Sequence, residues 1–191
     1  ICIPIKESST DKKEICVSRS FSYPIDSLEE LNQSIINYVL IASYKLRKYN
    51  QLCSSITVFT KTNIHSKDYY KSKATGKIDV PTSDTRIMIK IILELTKKIF
   101  KPYRKLTKSG VILHNLQSNK YRQKMLFNQQ FFEEDLLQDK LNHIIDNIND
   151  NSRDTINWGS SIIEKEWRPR REKLSQIKTT NIESIPTIYA N

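Results

Sequence analysis

Two periods of hydropathy predict an α+β fold for this chain of 191 residues. Short runs in which every second residue is apolar alternate with longer stretches in which apolar residues return every third or fourth position. A change of charge adds a boundary. Residues 1–122 carry 22 Lys+Arg against 10 Asp+Glu, a net of +12; residues 123–191 carry 9 against 11, a net of −2; together they give the chain's +10. The basic part is therefore built to meet a polyanion, and the junction carries a short apolar run, Met125-Leu126-Phe127.

The elements follow in order. Residues 1–13 are polar and turn-rich and read as a linker. From Glu14 the chain alternates: Ile15, Val17, Arg19 and Phe21 on one face of a strand, Cys16, Ser18 and Ser20 on the other, with Pro24 as the stop. Asp26 or Ser27 caps a helix whose first turn holds Glu29 and Glu30, where the macrodipole favours acids. Its apolar stripe is Leu28, Leu31, Ile35, Val39, Ala42 and Leu46. A second strand over Ser54–Thr62 puts Ile56, Val58 and Thr60 on one face and Thr57, Phe59 and Lys61 on the other, and a third follows near Ser72–Val80. Pro81-Thr82-Ser83-Asp84 starts a helix with Ile87, Ile91, Leu95 and Ile99 on one side, and Pro102 closes it. Gly110–Leu116 is a fourth short strand, preceded by Arg104, Lys105 and Lys108.

The order β-α-β-β-α-β is that of the split βαβ, ferredoxin-like arrangement: a four-stranded sheet with both helices on one face and the other free. An uncovered face carrying Arg19, Lys61 and hydroxyl side chains would track phosphates. Beyond Tyr121, Phe131–Asn149 forms one amphipathic helix with Leu136, Leu137, Leu141, Ile144, Ile145 and Ile148 as its apolar side.

Other classes find less support. No apolar stretch reaches the roughly 18 residues that span a bilayer, and no Lys-rich helix with aromatic residues on its other face favours a membrane surface. Cys2, Cys16 and Cys53 are odd in number and widely spaced, which suits buried or half-buried free thiols in a reducing cytoplasm. Three glycines do not build a phosphate-cradling loop, and His65, His114 and His143 lack metal-ligand spacing. Asp84 reads as a helix cap, and a hydrolase using Asp84 and His114 lacks a supporting constellation.

Specific stretches point further. Glu14-Ile15-Cys16-Val17-Ser18-Arg19-Ser20-Phe21 resembles the start of the little-finger domain of Y-family translesion DNA polymerases, in particular the UmuC-type subunit of the bacterial SOS polymerase. Ile56–Thr62, Pro81–Arg86, and Tyr103-Arg104-Lys105 with Gly110–Leu113 agree with that family in order, and Trp167, Arg170-Arg171, Leu174-Ser175 and Thr179-Thr180 resemble the UmuC-type C-terminal extension. Ser22, Pro169 and Gln176 depart from its wording.

The resemblance implies a linker at 1–13, a little finger at 14–120, a clamp-binding linker at 121–130 and the UmuC-type extension at 131–191. It implies a DNA-binding segment of an error-prone polymerase acting in DNA repair and SOS mutagenesis. Primer–template phosphates would meet Ser18, Arg19, Ser20, Lys61, Thr62, Arg104, Lys105 and Lys108. Gln123, Met125, Leu126 and Phe127 fit the family's peptide for the β sliding clamp, and a UmuD-type accessory subunit is a further candidate partner. This segment would use no cofactor and catalyse nothing by itself, because the palm with its Mg2+-binding carboxylates would lie upstream of Ile1. The alternative is a free-standing nucleic-acid-binding protein, or a decayed polymerase remnant.

Overall fold

The computed structural model describes residues 11–66, 68–121, 129–152, 156 and 159. Its elements are β1 (Ile15–Ile25), α1 (Leu28–Lys48), β2 (Gln51–Lys61), β3 (Lys71–Thr82), α2 (Thr85–Ile99), β4 (Leu106–Ser118), a 3-10 turn (Asn119–Tyr121) and α3 (Gln129–Ser152). The expected β-α-β-β-α-β order is present. All pairings are antiparallel and the sheet order is β1-β4-β2-β3, so β4 splits the pair joined by α1 and β2 splits the pair joined by α2. Both helices cover the same face.

Local chemistry explains the helix boundaries. The Ser27 hydroxyl accepts from the Glu29 amide at 3.2 Å, and the Asp84 carboxylate accepts from the Arg86 amide at 2.8 Å, each satisfying an orphan donor of a first turn. Lys45, Arg47 and Lys48 close α1 where cations suit the negative end. The core lies between helices and sheet: Leu31, Ile35, Val39, Ala42 and Leu46 of α1 meet Ile15, Val17, Ile56, Val58, Val111 and Leu113. Gly76 lies under α2, where an added Cβ would come within 2.8 Å of Ile91 Cγ2, so the helix sits close because glycine stands there. Burial pushes the Tyr38 hydroxyl up to about 12, while Ser109 and Arg19 pull the other way.

Several expectations need correction. Pro24 does not stop β1. The strand continues to Ile25, because β1 is an edge strand whose register breaks between Ser20 and Ile25, where a missing amide donor is tolerated. β3 likewise passes through Pro81, and β4 begins at Leu106 rather than Gly110. The α2 face is rotated: Met88, Ile92, Leu95 and Ile99 are buried, with Ile87 and Ile91 packed at its margin. Cys53 is buried, and its thiol is pushed up to about 12 by that burial, but Cys16 is exposed.

The largest surprise is α3. Among its described side chains, those of 137–151, the buried ones are polar: Asp139 accepts from the Ser83 hydroxyl at 3.0 Å and Asn142 is buried, while Tyr44 donates to the exposed Asp150 at 2.8 Å. Arg47 binds both oxygens of Asp146, at 2.6 and 2.7 Å, and also donates to Ser83 O and Thr85 Oγ1. The Arg47 side chain is only 6% exposed, so the pair is held in a poorly solvated place with four of the five guanidinium donors used. Leu137, Leu141 and Ile144 are exposed instead of packed. No helix among the described residues is long and apolar enough to cross a membrane.

Candidate nucleic-acid interface

The free face of the sheet follows from strand alternation and register. Across β1, β4, β2 and β3, one row reads Ser20, Lys108, Lys61, Lys71; the next reads Ser18, Gly110, Phe59, Lys73; a third reads Cys16, Ile112, Thr57, Thr75. Lys77 follows on β3 opposite Ser55. These residues alternate with the core set, so they point away from the helices. Two features shape the middle of the face. A Cβ on Gly110 would lie 2.4 Å from Ser18 Cβ and 2.6 Å from Phe59 Cζ, so the bare glycine is what makes room for the Phe59 ring. Beside it, His114 bonds Glu14 through Nδ1 at 2.8 Å and Thr57 through Nε2 at 2.9 Å, and Thr57 bonds Thr75 at 2.8 Å.

Electrostatics give the face its character. Lys61 stands directly opposite Lys71 on one side and Lys108 on the other. Like charges so placed destabilise a sheet, and phosphate oxygens lying over the row would offset that repulsion.

The sequence-derived candidates divide accordingly. Ser18, Ser20, Lys61 and Lys108 share the open face. Arg19 does not, and this corrects the expectation. It falls in the Ile15–Val17 alternation, pairs with Ser109, whose hydroxyl lies 3.4 Å from Ser34 of α1, and acts on Tyr38. Its exposed guanidinium reaches solvent from the edge strand, beside the covered face. Thr62 lies beyond β2, is buried, and accepts from the Tyr70 amide at 2.8 Å, so its hydroxyl holds the β2–β3 loop. Arg104 and Lys105 sit in the α2–β4 loop, with Arg104 donating to Asp68 O at 3.3 Å. Gln123, Met125, Leu126 and Phe127 lie outside the described residues. Lys77, Phe59 and the Glu14–His114–Thr57–Thr75 chain were missed; the hairpin register that aligns them was the available signal.

The two residues of the hydrolase reading have different partners: Asp84 caps α2 and pairs with Arg86, while His114 bonds Glu14 and Thr57. Among the described residues no three His, Cys, Asp or Glu side chains converge as a metal site.

Fold and surface together define an α+β platform domain, closed by helices on one side and cationic on the other. Residues 12–126 match the impB/mucB/samB family C-terminal domain, and the chain belongs to that family. Residues 139–188 match a domain of unknown function. Similar curated proteins are Protein SamB of Salmonella typhimurium (30% identical, covering 97% of this chain and 44% of that protein) and Protein UmuC of Salmonella typhimurium strain LT2 (28%, 96% and 44%). Protein MucB of Escherichia coli is 30% identical over 97% of this chain and 44% of its own length. This is the UmuC-type, Y-family group that the sequence resembles, and the match is to the C-terminal part of it. The chain thus spans 44% of the length of these relatives. Among solved structures, DinB from Sulfolobus solfataricus aligns at a TM-score of 0.46 with 16% identity, over 56% of this chain and 29% of that one. The little finger domain of PolIV, solved in complex with the beta-clamp processivity factor, aligns at 0.44 with 16% identity, over 60% and 98%.

Proposed function

We propose that this chain is the DNA-gripping and clamp-tethering portion of an error-prone translesion polymerase. The open sheet face lies along primer–template duplex and binds its backbone phosphates without reading sequence. The row Ser20, Lys108, Lys61, Lys71 is the observation that carries this reading, since three ammonium groups side by side in a sheet are self-repelling unless a polyanion lies across them. Family membership supplies the setting. The peptide Gln123-Lys124-Met125-Leu126-Phe127, immediately after the platform in sequence, is the tether: the glutamine bonds at a pocket rim while Met125, Leu126 and Phe127 fill an apolar groove of the sliding clamp. Tethering raises the local concentration at the primer end without strengthening the grip on DNA itself.

One paired experiment tests both halves. The triple variant Lys61→Ala, Lys71→Ala, Lys108→Ala should bind blunt duplex at least about tenfold more weakly at moderate salt. Its log–log salt slope should drop by about 2 to 3, at roughly 0.9 for each phosphate no longer neutralised, uniformly across sequences. The double variant Leu126→Ala, Phe127→Ala should lose clamp binding and keep duplex affinity. Unchanged duplex affinity in the triple variant would move the DNA surface elsewhere, and loss of both activities in the double variant would assign Leu126 and Phe127 to folding.

A further inference from the structure

The lysine row ends at a rim made of two loops. The β2–β3 loop contributes Ile64, Tyr69 and Tyr70; the α2–β4 loop contributes Lys101, Tyr103, Arg104 and Lys105. Several interactions fasten them to each other and to α2. Arg104 donates to Asp68 O at 3.3 Å and its guanidinium stands 3.9 Å from the Asp68 carboxylate, which offsets the one acid there. Two cations stand near the Tyr70 ring, Lys101 Nζ at 5.2 Å and Arg104 Cζ at 5.9 Å from its centroid, and its hydroxyl donates to Ile99 O at 3.0 Å.

Tyr103 stands out on this rim. Its φ is 69°, in the left-handed region, where bulky side chains are rare; the other described non-glycine residues with positive φ are Asn50 and Asn115, a type that tolerates it. It follows Pro102 in a turn, the place where glycine enters without strain. Tyr103 is 96% exposed, with Ile64 at 66% and Tyr69 at 45% in the β2–β3 loop. An aromatic held in a strained backbone, touching little of its own protein and set among cations, answers to something outside the fold.

We propose that Tyr103 is a stacking post for an unpaired base of single-stranded nucleic acid where it leaves the duplex. The class follows from the chemistry: a flat apolar ring meets a free base face, while Lys101, Lys105 and the lysine row meet the phosphates on either side. Bases inside a duplex have both faces occupied by neighbours, so the ring discriminates unpaired from paired strands, which the lysines alone do not. This inference rests on the proposed phosphate-binding face and adds a second, separable interaction to it.

The experiment compares Tyr103→Gly, Tyr103→Ala and Tyr103→Phe on three probes: blunt duplex, the same duplex with a single-stranded thymidine overhang, and that overhang made abasic. Glycine removes the ring and suits the backbone, so the Gly variant keeps or raises the melting temperature and separates the ring's role from folding. Expected is a loss of roughly fivefold or more on the overhang for Gly and Ala, near-parental binding for Phe, and no change on blunt or abasic probes. Parental affinity for the overhang in the Gly variant overturns the proposal and turns attention to a protein partner for the rim. Equal losses on all three probes overturn it as well, making Tyr103 part of the general phosphate surface. Failure of the lysine variant on blunt duplex strikes the parent reading alone.

Discussion

The two faces of one sheet obey opposite rules here. On the covered face, Ile15, Leu113 and Ile56 form a row over which the helices pack, and Val17, Val111 and Val58 form the next. Each side chain there is satisfied by another of the same chain. On the other side of the same backbone, the outward rows set Lys108, Lys61 and Lys71 beside one another with no acid among them. A fold closed on one side can carry an unbalanced surface on the other, because the apolar burial holding it together does not depend on the outward residues.

Substitutions on each face should therefore separate stability from binding, and the largest effect lies on the covered side. Ile56→Ala empties a fully buried site and should cost about 2 to 5 kcal/mol in urea unfolding, with the salt slope of DNA binding unchanged. A shift in that slope would mean the faces are coupled. Gly110→Ala comes next: its new Cβ would overlap Ser18 and Phe59, so the variant should lose about 1 to 3 kcal/mol and displace the Phe59 ring, visible in its aromatic NMR shifts. The smallest effect is alkaline. The folded Cys53 thiol is raised above its ordinary value of 9.0 to about 12, so its contribution is fully present below pH 9 and is lost as pH rises towards 12. Denaturation between pH 8 and 10 should show a fall of about 1 kcal/mol that Cys53→Ala removes, and an unaltered pH slope in that variant would refute the assignment.

Element order was legible in the sequence because each strand and helix carries its own period. The inward set Ile56, Val58 and Thr60 on β2 and the cap at Asp84 came from local pattern alone. What could not be read was non-local. The register that lines up Lys108, Lys61 and Lys71 exists only once three strands pair. Arg19 misled because a charge was assumed to face the open side, although its neighbours Ile15 and Val17 had already fixed its parity. In α3 the apolar stripe does not mark the docking side: Arg47 and Ser83 on the platform hold Asp146 and Asp139 instead. Tyr103 stood in the sequence only as part of Tyr103-Arg104-Lys105; its left-handed backbone and its exposure needed the structure.

The outer strand β3 presents an unpaired ladder of amides and carbonyls to solvent, with Lys71, Lys73 and Lys77 at alternate positions along it. Such an open border invites a sister molecule to zip alongside, and the ammonium groups repel that intruder as effectively as they attract an anionic strand. Stripping them for a binding study would also remove the guard against fibril-like stacking, so a neutralised platform should be handled dilute and its monodispersity followed by light scattering.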